Sequence, residues 1–216
     1  MKKIKSIITN PIFAIFIILI SYVSCSYNDK PLIKVIEISE SAFELNRNMR
    51  KVWEEHSFWT RNVALCLIDN LPGRKQAIDR LLQNQVDIGN IIKPYCGEKN
   101  GEILTELLFT HIMVGEEVFK AIKIKNVKML EEANKRWYIN ADEICEFLSD
   151  VNPNWELTPM KKMMHEHLSL TSDMVMQRVD EDYDLDVIAY DKARKEILTM
   201  ADMISTGIIE QFPEKF

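Results

Sequence analysis

Residues Met49–Cys66 read MRKVWEEHSFWTRNVALC, and they fix the interpretation of the rest of the chain. Apolar residues recur in this stretch at alternating intervals of three and four, which is the period of one helical face. The stretch predicts a long amphipathic helix with one polar residue, His56, directed into the core. The predicted inward positions are Met49, Val52, His56, Trp59, Val63 and Cys66.

A histidine followed by an aspartate at similar spacing occurs three times along the chain. The pairs are His56 with Asp87, His111 with Asp142, and His167 with Asp202, separated by 31, 31 and 35 residues. Short local sequences around these residues are also alike, as in Ala141-Asp142 and Ala201-Asp202. Three copies of one helical hairpin would explain the repeat, each with a polar rung across its middle.

The remaining segments show no strand pattern and divide into six long helical stretches separated by short turns. Pro72-Gly73, Gly97 and Asn152-Pro153 are among the turn residues. Short turns make sequential helices antiparallel neighbours. The sequence therefore predicts an all-α fold, six long antiparallel helices arranged as three hairpins in an up-down bundle. Ser41-Ala42-Phe43-Glu44 has the pattern of a capping box and places the start of this domain at residue 41.

The first 25 residues have the pattern of a targeting segment. Lys2, Lys3 and Lys5 precede an apolar run over Ile12–Val23, the order found in secretory signals. Ser24-Cys25 resembles the end of a bacterial lipoprotein signal, so Cys25 is the predicted lipidation site. An uncleaved anchor helix over Ile7–Cys25 is the alternative. Residues 26–40 form a tether, and both alternatives predict a domain outside the cytoplasm, attached to the bacterial cell membrane through its N-terminus.

Composition bounds the class of protein and the classes of partner. Apolar residues make up 47% of the 216 residues and charged residues 28%, which is ordinary for a globular domain. The net charge of −6 argues against nucleic acid as a partner. Cys66, Cys96 and Cys145 remain after Cys25, an odd number that implies no complete disulfide framework.

The three predicted rungs make a metal or small-ligand site the leading functional hypothesis. Each histidine and its aspartate lie about 20 Å from the turn between them, so they are expected at one level of the bundle. The predicted metal ligands are His56, His111 and His167, with Asp87, Asp142 and Asp202 as direct ligands or as partners that orient the imidazoles. Zn, Fe, Mn and Ni all accept these donors, so the metal stays open.

Two alternatives fit the same residues. Buried His–Asp pairs satisfy each other's hydrogen bonds, so the layer can be purely structural in a non-catalytic envelope interaction protein. If the hairpins stack in a row, the rungs lie apart and share no site. The second alternative is a metal-dependent hydrolase or oxidoreductase, and whether the chain is an enzyme stays open.

His165 and the acidic segment Asp180–Asp186 are expected to be solvated.

Several longer stretches of this sequence are similar to stretches found in other proteins. They include Trp53-Glu54-Glu55-His56, Arg80–Gly89, Arg136-Trp137-Tyr138 and Met200-Ala201-Asp202-Met203. Through them the chain from about Phe43 resembles a group of uncharacterised bacterial helical-bundle proteins, which implies a fold unit and nothing catalytic. A looser likeness to hemerythrin-type and DinB-type metal bundles is architectural.

Overall fold

The computed structural model describes residues 39–216. The predicted signal segment with Cys25, and the tether up to residue 38, lie outside the described residues. Six helices and one short 3₁₀ turn follow Ser39. They are α1 (Glu40–Ile68), α2 (Arg74–Cys96), α3 (Glu98–Lys123), α4 (Val127–Val151), α5 (Leu157–Val179), α6 (Tyr183–Gln211) and the 3₁₀ turn Pro213–Lys215.

Side-chain caps define where several helices begin. The hydroxyl of Ser39 accepts a 3.1 Å hydrogen bond from the backbone N–H of Ala42, so α1 begins two residues before the predicted capping box. Ser41 instead donates its hydroxyl to the carbonyl of Phe216, which ties the first helix to the end of the chain. Asn126 caps α4 as expected, accepting from the N–H of Met129 at 3.1 Å.

The six helices close into a ring. Each helix packs against the one before and the one after it, and α6 packs back against α1. The helices α1, α3 and α5 also contact one another across the centre. The predicted all-α bundle of three hairpins is therefore confirmed, and its three histidine-bearing helices are the ones that meet in the middle.

The turns inside the three hairpins lie at the same end of the bundle. Lys123, at the end of α3, donates to the carbonyl of Leu67 in α1 at 2.7 Å. Lys125, beside the α3–α4 turn, forms a 2.8 Å ion pair with Asp180 beside the α5–α6 turn. Because α1, α3 and α5 all run toward this end, residues at equal distance from their turns lie at one level.

One prediction about the acidic segment is wrong. Asp186 is not solvated: it is 1% exposed in the first turns of α6. The guanidinium of Arg61 donates to both of its carboxylate oxygens, at 2.7 and 2.8 Å. Asp182 caps α6 through the N–H of Leu185 at 3.0 Å. Charge composition alone did not reveal that an arginine on α1 lies opposite this acid.

Some close contacts between packed elements require glycine, because any side chain at that position would clash. A Cβ built on Gly207 would lie 2.1 Å from the indole nitrogen of Trp155, a fully buried side chain between α4 and α5. Trp155 donates this N–H to the carbonyl of Ile204 at 3.3 Å. No helix within residues 39–216 is both long and apolar enough to cross a membrane.

Candidate functional site

The three predicted histidines converge in the centre of the bundle. The ring of His167 lies 6.2 Å from that of His56 and 6.3 Å from that of His111, measured between centroids. All three side chains are buried, with exposures of 3% for His56, 4% for His111 and 6% for His167. The alternative in which the hairpins stack in a row and separate the rungs is therefore wrong.

Each histidine is held by a polar residue on the following helix. The Nδ1 atom of His56 lies 3.2 Å from the amide nitrogen of Gln85. In the same way, Nδ1 of His111 lies 2.9 Å from the amide oxygen of Asn140. In the third hairpin, Nδ1 of His167 lies 3.2 Å from a carboxylate oxygen of Glu196. The separation along the chain is 29 residues in all three pairs, so the repeat is real but its second member was misassigned.

The predicted aspartate partners do not lie beside these histidines. Asp87 pairs with Arg80 at 3.3 Å, Asp142 with His165 at 2.9 Å, and Asp202 with Arg50 at 2.5 Å, all on the outer side of the bundle. The reason is helical geometry. Asp87 and Asp142 each follow the true partner by two residues, and two residues turn a helix by about 200°.

Asp202 misses the layer for a related reason. It lies six residues beyond Glu196, about 9 Å further along the helix axis and on another face. His165, expected to be solvated, is part of a half-exposed surface cluster in which its ring packs 4.9 Å from that of Tyr138.

The hydrogen-bond network assigns different tautomers to the three rings. The Gln85 amide nitrogen also donates to the carbonyl of Leu81 at 2.7 Å, so it faces His56 as a donor and Nδ1 of His56 accepts. A neutral His56 therefore carries its proton on Nε2. The Asn140 amide nitrogen donates to the carbonyl of Leu107 at 3.2 Å, which turns its oxygen toward His111. His111 then donates from Nδ1 and keeps a free lone pair on Nε2.

His167 has the same hydrogen-bonding arrangement as His111, with Nδ1 as the donor. Nδ1 of His167 donates to a carboxylate oxygen of Glu196, which leaves Nε2 as the ring nitrogen without a partner residue. In their neutral forms His111 and His167 each offer an acceptor nitrogen at Nε2, and His56 offers a donor. Such a set can bind a group that needs both.

Burial keeps two of these imidazoles uncharged. Loss of solvation, together with the nearby His167, lowers the pKa of His111 to about 3. Loss of solvation also lowers the pKa of His56 to about 3, with smaller contributions from the neighbouring His167 and His111. Neutral imidazole is the form that ligates metals, so low pKa values keep the ring nitrogens available at neutral pH.

The three rings line a small cavity, and so does Thr60, whose Oγ1 lacks a hydrogen-bond partner among the described residues. The cavity has a volume of about 20 Å³, and Thr60, Thr171, Glu116 and Trp137 also line it. That volume suits a single water molecule or a bare ion. Four buried polar atoms in and around the layer have no hydrogen-bond partner among the described residues: Trp53 Nε1, Thr60 Oγ1, Gln85 Oε1 and Glu196 Oε1. Buried polar atoms are normally paired, so this cluster needs an explanation.

The rings are too far apart to coordinate one ion as they stand. Within residues 39–216 no group of three or more histidine, cysteine, aspartate or glutamate side chains is arranged so that it could hold a metal ion. A metal about 2 Å from each nitrogen in tetrahedral geometry puts ring centroids about 5 Å apart. The observed 6.2 and 6.3 Å exceed this by about 1 Å. Coordination by all three rings would require this layer to contract.

Sequence reasoning missed Gln85, Asn140 and Glu196 as the hydrogen-bond partners of the three histidines. Gln85 and Asn140 belong to the apolar-stripe positions of their helices, and the constant spacing of 29 residues from each histidine was a usable signal. No single residue type repeats at this spacing, because the three partners are a glutamine, an asparagine and a glutamate.

Comparisons with protein-family models, with curated proteins and with solved structures found no match to this chain. The resemblance to bacterial helical-bundle proteins therefore stays a prediction.

Proposed function

We propose that this domain is a binding module that holds a transition-metal ion with a bound water, or a small polar ligand of similar size, at the histidine layer. The observation that carries the proposal is the convergence of His56, His111 and His167 on one small cavity. The unpaired Oγ1 of Thr60, a residue that lines this cavity, adds support.

The tautomers suggest how the residues would divide the work. His111 and His167 would supply the nitrogen ligands through Nε2, because their Nδ1 atoms are committed to Asn140 and Glu196. His56 would donate from Nε2 to the oxygen of a bound water, since its Nδ1 accepts from Gln85. This division needs less contraction of the layer than coordination by three rings. The donor set leaves Zn, Fe, Mn and Ni as candidates.

The N-terminal sequence supports a location for this module. We propose that the bundle is exported and held at the outer side of the bacterial membrane by a lipidated Cys25 or an uncleaved anchor helix. The described helices would then lie outside the cytoplasm, and the membrane would be reached through the N-terminal segment.

Metal analysis of the segment Ser39–Phe216, purified without chelator, tests the binding proposal. We expect about one equivalent of metal, or uptake of Zn²⁺ and Co²⁺ on addition, with Co²⁺ giving the visible absorption of a nitrogen-ligated ion. The His111→Ala variant should lose that absorption. The matched control is His165→Ala, which removes a histidine from the surface of the same bundle. Absence of uptake, or equal loss in both variants, would refute the proposal.

A purely structural layer is the second candidate, and the satisfied Nδ1 atoms favour it. Gln85, Asn140 and Glu196 each cross to the preceding helix, so the three pairs fix the register of the three hairpins. On this reading, no metal binds and the His111→Ala variant loses about 1–3 kcal/mol of unfolding free energy. The same two proteins therefore separate the candidates.

A further inference from the structure

A wide groove runs along the surface between α5 and α6. Its volume is about 510 Å³, within the range of small-molecule sites and far larger than the 20 Å³ of the histidine cavity. Pro159, Met163 and Leu170 supply apolar lining. The groove therefore offers a ligand an apolar surface in a place reached from solvent.

Three lysines share the groove lining with these apolar residues. Lys162, Lys192 and Lys195 line the groove, and none of them forms an ion pair with a carboxylate within residues 39–216. The neighbouring Lys161, by contrast, is paired with Glu146 at 2.8 Å. Three lysines against two glutamates give the lining a net charge of +1 in a chain of net charge −6, which favours a ligand that carries an acidic group.

The groove also contains acceptors that need donors. Glu166 lines it and forms no ion pair among the described residues. Glu196 lines it as well, with a side chain only 8% exposed. One oxygen of Glu196 accepts from His167, and the other, Oε1, is buried without a hydrogen-bond partner in the described part of the chain. A buried carboxylate oxygen without a donor is costly, and a positively charged donor group that displaced the side chains covering this oxygen would satisfy it.

We propose that this groove binds a small zwitterionic acid with an apolar side chain, the chemistry of a free apolar α-amino acid. The ligand carboxylate would pair with the lysines, its ammonium group with Glu196 and Glu166, and its side chain would pack against Met163 and Leu170. This site is distinct from the proposed metal site and does not require a metal. The two are joined at Glu196, which contacts both the groove and the histidine layer.

The test uses the isotope-labelled full-length chain in detergent and three related probes observed by nuclear magnetic resonance. L-leucine carries both charged groups, 4-methylpentanoate lacks the ammonium, and 3-methylbutylamine lacks the carboxylate. We expect leucine to shift the amide signals of α5 and α6 in a saturable way. Removing either charged group from the ligand should weaken binding by about tenfold or more, because each group forms hydrogen bonds with charged side chains.

Paired variants separate specific recognition from general charge attraction. Lys192→Gln combined with Lys195→Gln should weaken leucine binding by about tenfold. Lys128→Gln combined with Lys135→Gln changes the net charge equally on the exposed face of α4 and should leave binding unchanged. No saturable shift up to about 10 mM leucine, equal binding of all three probes, or equal effects of the two double variants would overturn the proposal. Metal uptake by the histidine layer is measured separately and is unaffected by these outcomes.

Discussion

Lowering the pH from 7.5 to 5 should destabilise this bundle through its two most deeply buried histidines. Burial lowers the pKa of both His56 and His111 from 6.5 to about 3, whereas the unfolded chain keeps the ordinary value. Below pH 6.5 these two imidazoles therefore bind protons in the unfolded state but stay neutral in the folded state. Above pH 6.5 the two rings do not lower the free energy of unfolding, and below it they lower that free energy progressively as the pH falls toward 3.

The magnitude follows from the size of the shift. Each pH unit below 6.5 removes about 1.4 kcal/mol per histidine, so at pH 5 each ring accounts for about 2 kcal/mol. The two rings together would remove about 4 kcal/mol, a large part of the roughly 5–15 kcal/mol that stabilises a typical domain. Carboxylates also titrate in this range, so the histidine contribution is the difference between proteins measured in identical buffers.

Urea unfolding at half-unit steps of pH, with chelator present, measures this difference. The variants His56→Gln and His111→Gln remove one titrating ring each and should each flatten the plot of unfolding free energy against pH by up to about 1.4 kcal/mol per unit between pH 6 and 4. The control is Gly207→Ala, which should lower stability at every pH through a packing clash remote from the histidine layer. Its slope should match that of the wild type.

Two results would refute the reasoning. Equal slopes in the wild type and the two histidine variants would mean that the rings protonate in the folded bundle without cost. A control slope that changed as much as theirs would mean that any destabilised variant responds to acid in this way.

Three further variants test the packing and polar contacts. Gly207→Ala should cost at least about 1–3 kcal/mol in urea unfolding, because the added Cβ would lie 2.1 Å from the Trp155 indole nitrogen. Arg61→Ala should cost about 3–5 kcal/mol by the same assay, since it leaves the carboxylate of Asp186 buried without its bidentate partner. Asn140→Ala should cost about 1–3 kcal/mol in thermal or urea unfolding, because it leaves a buried imidazole N–H without an acceptor.

Each of these variants has a matched control. Gly115→Ala places its Cβ 3.2 Å from the Trp137 ring and should cost less than the Gly207 change. Arg47→Ala breaks an exposed pair with Glu44 and should cost less than about 1 kcal/mol. Asp142→Asn alters a half-exposed residue outside the histidine layer and should also cost less than about 1 kcal/mol. A control that matched its partner variant would contradict the corresponding contact.

The sequence by itself determined the helical class and the level of the histidines. Apolar spacing of three and four residues marks helical faces whatever lies opposite them, and short turns force antiparallel neighbours. Equal distances from the turns then placed His56, His111 and His167 at one depth. These are local properties of the chain, so they can be read without knowing the packing.

Tertiary structure alone decided which side chains complete the layer. A shift of two residues along a helix rotates a side chain by about 200°, so Asp142 faces outward while Asn140 reaches His111. The sequence contains both residues in the same predicted helix and cannot fix the rotation of that helix about its axis. Closure of the ring fixed it, because packing α1, α3 and α5 around one centre selects the face that each neighbouring helix presents. The same closure brought Asp186 against Arg61, a contact between residues 125 positions apart.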